Sequence, residues 1–190
     1  MAKCGVILAR FQPVHNGHLA LIEKACSEND KVILLVGSID KLNERNPIPW
    51  DIRVTMLKEA LVEKGLTDKC VIKPLSDLTD ESDNSHDWGF YLYAKVIDEV
   101  KDSAFTMYYS DGFEIITTWF PGFLLKDYVS LMLLARGKVE EGVSATQVRQ
   151  LMLQYHTDVN KNSELEKVVP KSVFGRREMI QAFIKIHMNR

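Results

Sequence analysis

The chain has 190 residues, 46% of them hydrophobic and 26% charged, enough for one globular domain that buries roughly 70% of its unfolded surface. A formal net charge of −2 provides no whole-molecule field for nucleic acid or an anionic membrane, so neither partner is expected and any anion site must be built locally. Three scattered cysteines (Cys4, Cys26, Cys70) without CxxC spacing argue against a disulfide framework and a zinc site.

The N-terminus "MAKCGVILAR" lacks the layout of a signal peptide, because its apolar run is short and ends at Arg10. No apolar stretch reaches the roughly 18 residues of a spanning helix, so a soluble, cytoplasmic chain is expected. "CGVILA" (4 to 9) and "KVILLVGS" (31 to 38) are unbroken and rich in β-branched residues, as strands covered on both faces should be. Between them "NGHLALIEKACSEN" places Leu19, Ile22 and Cys26 at helical spacing, with Asn16 as the expected N-cap. This is a βαβ unit with a right-handed crossover. "DIRVTMLKEALVEKG" (51 to 65) predicts a second helix and "KCVIKPL" (69 to 75) a third strand. The polar, acidic "SDLTDESDNS" (76 to 85) reads as a mobile surface loop. "HDWGFYLYAKVIDEV" sets Trp88, Leu92, Val96 and Val100 at successive i+4 positions of a helix, and "AFTMYYS" (104 to 110) and "DYVSLMLLA" (127 to 135) complete five strands. The alternation predicts an α/β fold, a Rossmann-like doubly wound parallel sheet in one domain spanning 1 to 190. Its core covers 1 to 155, and a short helical segment follows over 156 to 190.

In such a sheet ligands bind beyond the carboxyl ends of the strands. "RFQPVHNGH" follows the first strand directly. Gly17 lets the backbone come close where unpaired amides and the helix dipole favour an anion. His15 and His18 flank it, so both imidazoles can address one phosphate. A second such place is "GVSATQVRQLM" (142 to 152). Ser144 stands three residues before Gln147, a capping-box spacing that starts a helix at Ala145. Ser144 and Thr146 add hydroxyls, and Arg149 adds a forked cation suited to phosphate oxygens.

"FQPVHNGH" resembles the HxGH signature of the nucleotidyltransferase superfamily, and "GVSATQVR" is similar to its ISxTxxR motif. With "GSIDKLNERNPIPWDIR" (37 to 53), which carries an Asn-Pro-x5-Arg element at Asn46, Pro47 and Arg53, the chain resembles nicotinamide-nucleotide adenylyltransferases of the archaeal and bifunctional type. Trp88, "WFPGF" (119 to 123) and "VVPKSV" (168 to 173) look like further pieces of that branch. Around Asp111 the context departs from the bifunctional members, which puts the acceptor in doubt. No second domain follows residue 190, so a transferase without a hydrolase on the same chain is expected.

The resemblance implies transfer of AMP from ATP to nicotinamide mononucleotide, giving NAD and pyrophosphate. His15, His18 and Arg149 are the expected catalytic residues; Arg10, Ser144 and Thr146 bind phosphates, and Phe11 and Gly17 shape that site. Mg²⁺ enters with ATP, held by phosphate oxygens and water with no protein ligand. Asn46, Arg53 and Trp88 are candidates for the acceptor. Asn46 also fits an ordinary turn, Arg53 a solvent-facing helix position, and Trp88 a plain core role. Tyr108, Tyr109 and Trp119 read as core or strand residues, and His86, His156 and His187 as surface. A homo-oligomer is expected from the family. Another phosphorylated acceptor, a cytidylyl donor, or a regulator that binds nucleotide without turnover are the alternatives.

Overall fold

The computed structural model describes residues 3 to 79, 85 to 100, 104 to 135, 143 to 156 and 158 to 188; part of the predicted acidic loop lies outside them. Five strands form where the unbroken apolar runs stand: β1 (Cys4–Ala9), β2 (Lys31–Val36), β3 (Cys70–Pro74), β4 (Phe105–Ser110) and β5 (Val129–Leu134). All pair in parallel in the order β3-β2-β1-β4-β5. Cys4 stands opposite Lys31 and the register continues to Ala9 opposite Val36. The chain winds outward from β1 to β3 and returns to β4 on the other side of β1, so the winding reverses between β1 and β4.

Successive strand side chains point to opposite faces, which explains why these strands are apolar throughout. Ile7, Val32, Leu34 and Val36 join one buried cluster, with α1 (Asn16–Glu28) and α2 (Trp50–Glu63) packed on it. Val6, Ile33 and Leu35 join the other, beneath α3 (His86–Val100) and α4 (Gly122–Asp127). The Trp88, Leu92 and Val96 stripe of α3 is buried as its spacing predicts. Cys26 and Cys70, distant in sequence, bring their sulfurs within 3.5 Å as free thiols.

Two local features differ from the sequence reading. The N-cap of α1 is His15, not Asn16, whose side-chain amide instead donates to the Lys167 carbonyl at 2.7 Å. A 3-10 helix (Glu114–Thr118) and the short α4 fill the connection between β4 and β5, where no helix was predicted.

The C-terminal quarter continues as α5 (Ala145–Gln154), α6 (Val159–Val168), α7 (Lys171–Phe174) and α8 (Arg177–Met188). Leu165, Val173, Ile180 and Ile184 are buried in the same cluster as β1 and α1. Polar contacts fix this packing: the Glu63 carboxylate accepts from the Lys171 and Ser172 amides at 3.1 and 2.8 Å, and Arg176 pairs with both oxygens of Glu59 at 2.6 and 2.7 Å. Among the described residues no helix is long and apolar enough to cross a membrane. Ile180 is 0% exposed, so Ile180→Ala leaves a cavity in the shared core. It should lower stability by about 2 to 5 kcal/mol in urea unfolding, with ligand affinity of the folded protein unchanged.

Candidate active site

A cavity of about 540 Å³ opens at the carboxyl ends of the strands, walled by Ala9 and Arg10 after β1, Gly37 and Ser38 after β2, and Tyr108 to Ser110 of β4. It therefore lies where the winding reverses, the place an open α/β sheet offers a ligand. The sequence motifs supply two of its walls.

At the first wall, His15 and His18 form a capping box made of imidazoles. The His18 amide donates to Nδ1 of His15 at 3.4 Å, and the His15 amide donates to Nδ1 of His18 at 3.3 Å. The rings stack with centroids 3.7 Å apart. Because both Nδ1 atoms act as acceptors, each neutral ring carries its proton on Nε2. The same contacts that start the helix thus turn two histidines into hydrogen-bond donors. A Cβ on Gly17 would stand 3.1 Å from two atoms of the His15 ring and 3.3 Å from the Val143 carbonyl, so a larger residue would require the ring or Val143 to give way by a few tenths of an ångström.

The second wall is the start of α5. Ser144 Oγ accepts from the Gln147 amide at 3.2 Å and the Gln147 side chain accepts from the Ser144 amide at 2.7 Å, which is the predicted capping box. Ser144, Ala145 and Thr146 line the same cavity as His15, Gly17 and His18, so two helix N-termini share one space. Arg149 donates to the Gln12 carbonyl at 2.9 Å and to Thr146 Oγ1 at 3.4 Å, linking the two walls directly. Burial lowers its pKa first, and the positive charges of Arg10 and Arg45 lower it further. Arg45, which sequence reasoning passed over, lines the cavity with Arg10 and Arg149.

Asn46 and Arg53 are placed differently from the sequence expectation. Both are 0% exposed and neither is among the residues that line the cavity, so Arg53 is not solvent-facing. Arg53 instead donates to the carbonyls of Arg10 (2.7 Å), Gly37 (2.8 Å) and Ser38 (3.1 Å). Burial lowers its pKa to about 10, which leaves it charged at neutral pH. The Gln12 side chain pairs with the Ile48 backbone at 3.1 and 3.0 Å and docks the loop that carries Arg45. Phe11 is fully buried at a positive φ of 51° beneath the His18 ring, 4.9 Å away, a shaping role at the cavity floor.

The far end is aromatic. Trp88 is both core and cavity wall: it is 6% exposed, packs edge-on to Trp119 with centroids 6.0 Å apart, and lines the space. Trp119, Tyr108 and Tyr109, expected only as core or strand residues, line it too. His86 and His156 are exposed and lie outside it, as does His187. The described residues contain no cluster of three or more metal-ligating side chains.

Residues 6 to 151 match the family described as cytidylyltransferase-like. The chain belongs to that family. It is 31% identical to the nicotinamide-nucleotide adenylyltransferase of Thermococcus onnurineus (strain NA1), over 99% of this chain and 89% of the relative. Its fold is similar to that of a bifunctional NMN adenylyltransferase/ADP ribose pyrophosphatase from Francisella tularensis, solved with AMP and a manganese ion. There the TM-score is 0.69 at 20% identity, over 97% of this chain and 52% of that one. A putative nicotinate-nucleotide adenylyltransferase from Vibrio parahaemolyticus gives a TM-score of 0.63 at 19% identity, over 95% of this chain and 99% of that one. These two likenesses are of fold alone. The cytidylyltransferase-like match ends inside α5, after both phosphate-facing helix starts.

Two substitutions test this geometry. Gly17→Ala should push the His15 ring aside and weaken binding of a nucleoside triphosphate about tenfold or more, measured by calorimetry, while the circular dichroism spectrum stays unchanged. Arg53→Met removes three donors from buried carbonyls and should cost about 3 to 5 kcal/mol in chemical unfolding.

Proposed function

We propose that the chain transfers the adenylyl group of ATP to nicotinamide mononucleotide, forming NAD and releasing pyrophosphate. The observation that carries this reading is the polarity of one cavity. Two helix starts, two imidazoles and three guanidiniums stand at one end, and two tryptophans at the other. The first end suits a triphosphate and the second a flat ring, and the curated relatives of similar length are named for this activity.

In the reaction a phosphate oxygen of the mononucleotide attacks the α-phosphorus, and the bond from that phosphorus to the oxygen bridging to the β-phosphate breaks. The electron pair leaves with pyrophosphate. The attacking oxygen is already anionic, so no general base is needed; what the protein supplies is alignment and charge. Nε2–H of His15 and of His18 donate to the oxygens around the reacting phosphorus, where negative charge is greatest in the transition state. Arg10, Arg45 and Arg149, with the Ser144 and Thr146 hydroxyls, hold the outer phosphates and the departing pyrophosphate.

The donor set at this end is cationic or N–H and O–H, which suits phosphate oxygens and not a bare cation. Mg²⁺ therefore fits as a companion of the nucleotide, held by phosphate oxygens and water, where it neutralises charge on the triphosphate. The chain's own residues orient the phosphates around it.

Pyrophosphate release with ATP and Mg²⁺ should require nicotinamide mononucleotide. His18→Ala should lower turnover about 10²- to 10³-fold, as loss of a single transition-state donor does elsewhere. Full turnover in a folded His18→Ala protein would refute the assignment. Release with CTP or with another phosphorylated acceptor, and none with this pair, would move the reaction elsewhere in the family.

A further inference from the structure

Asp77 is the one acidic side chain among the described residues that line the cavity. It stands three residues past β3 and lines the cavity with Ser38 and Trp88; the carbonyl of its neighbour Ser76 accepts from the Tyr91 hydroxyl at 3.3 Å, and the Tyr91 ring packs on that of Trp88. Its Oδ1 accepts from Ser38 Oγ at 3.0 Å, and its backbone amide donates to Asp40 Oδ1 at 3.1 Å. The side chain is thus anchored at a defined place in the wall, with Arg53 behind it. Asp77 favours the charged form of that guanidinium.

The negative field of this wall extends toward the tryptophan end. After burial, Asp40 and Asp77 are what raise the pKa of the Tyr91 phenol, and the Tyr91 ring lies 5.5 Å from that of Trp88. At the same end two indole N–H groups, of Trp88 and Trp119, are buried without a hydrogen-bond partner, on side chains only 6% and 4% exposed. Unpaired buried donors of this kind favour a ligand that brings an acceptor. The wall beside them favours one that brings a donor and positive charge.

A pyridinium ring with a carboxamide meets both demands. Its ring is cationic, its carbonyl accepts and its NH₂ donates. A ring with a carboxylate has acceptors only, and its negative charge would face Asp77. We propose that Asp77 is the specificity-determining residue of the acceptor subsite, selecting nicotinamide mononucleotide over nicotinate mononucleotide. This rests on the adenylyltransferase reading and deepens it.

The test compares kcat/KM for the two mononucleotides by pyrophosphate release, in the wild-type chain and in Asp77→Asn. Asparagine still accepts from Ser38, so the wall keeps its anchor. The wild type should prefer the amide by about tenfold or more, and the variant should narrow that ratio about tenfold while KM for ATP stays unchanged. Equal use of both acceptors by the wild type, or the same ratio in the variant, overturns the proposal and leaves the transferase reading intact. Quenching of tryptophan fluorescence by each mononucleotide in the wild type gives the same comparison without a variant; tighter binding of the carboxylate would overturn it. ATP binding with no release from either mononucleotide would overturn the transferase reading, and this one with it.

Discussion

Arg10 and Arg45 each disfavour the charge on Arg149, and Arg10 does the same to Arg53. Four guanidiniums crowd the carboxyl end of the sheet, and their repulsion has to be offset before any anion arrives. The offset comes from main-chain carbonyls. Arg53 takes three of them, at Arg10, Gly37 and Ser38, and Arg149 takes that of Gln12. Carbonyls at the ends of parallel strands lack strand partners, so the same bonds satisfy both the cations and the backbone. In the proposed reaction, a phosphate bound between Arg10, Arg45 and Arg149 would relieve repulsion that the fold already holds in place, the preorganised charge from which catalysis draws.

That preorganisation is fixed by buried and half-buried residues in the cavity wall itself. Gln12 fastens the Arg45 loop to the first strand's exit through two hydrogen bonds with Ile48, and its own carbonyl receives Arg149. The histidine capping box does comparable work on α1. In ordinary capping a serine or asparagine satisfies the free amides; here imidazoles do so, and the bond that fixes each ring also fixes its proton. Helix initiation and the proposed phosphate recognition therefore depend on the same pair of side chains. A substitution at either histidine perturbs both, so the effect on turnover has to be separated from the effect on helix α1 by a structural readout.

Much of this was legible in the sequence. The five strands followed from continuous apolar runs, and α1, α2, α3 and α5 from spacing and capping, because tertiary packing here agrees with local preference. The start of α5 at Ser144 follows from its capping-box spacing, and that of α1 lies one residue earlier than the spacing suggests. Arg45 was not legible, since it lies in a polar loop with no periodicity to mark it. Arg53 carried a signal that was missed: with Met56, Leu57 and Ala60 it forms an i, i+3, i+4, i+7 series, so it sits on the buried stripe of α2. The cap preference for asparagine misled at α1, where the actual cap is a histidine. The 3-10 helix and α4 are too short, and too interrupted by Pro121 and Gly122, to show a period. The cavity-facing roles of Tyr108, Tyr109 and Trp119 depend on which strand ends meet around the opening, and that is a property of topology.

The walls of the cavity are built from different kinds of chain. The exits of β1 and β2 and the starts of α1 and α5 pack on the larger core cluster. Among the aromatic and acidic lining residues, Tyr108 and Tyr109 belong to β4, Asp77 and Trp119 to connections, and Trp88 to the first turn of α3, where it packs on Trp119. One close contact holds them together. A Cβ on Gly89 would stand 2.0 Å from the Trp119 carbonyl oxygen, so glycine is what allows α3 to lie against that connection with Trp88 and Trp119 edge to face. Connections between elements accept changes of side chain more readily than strand exits locked by buried guanidiniums. Under the proposed reading, a substitution at Asp77, which lies in a connection, can alter the choice of acceptor without disturbing the guanidiniums and helix starts assigned to the triphosphate.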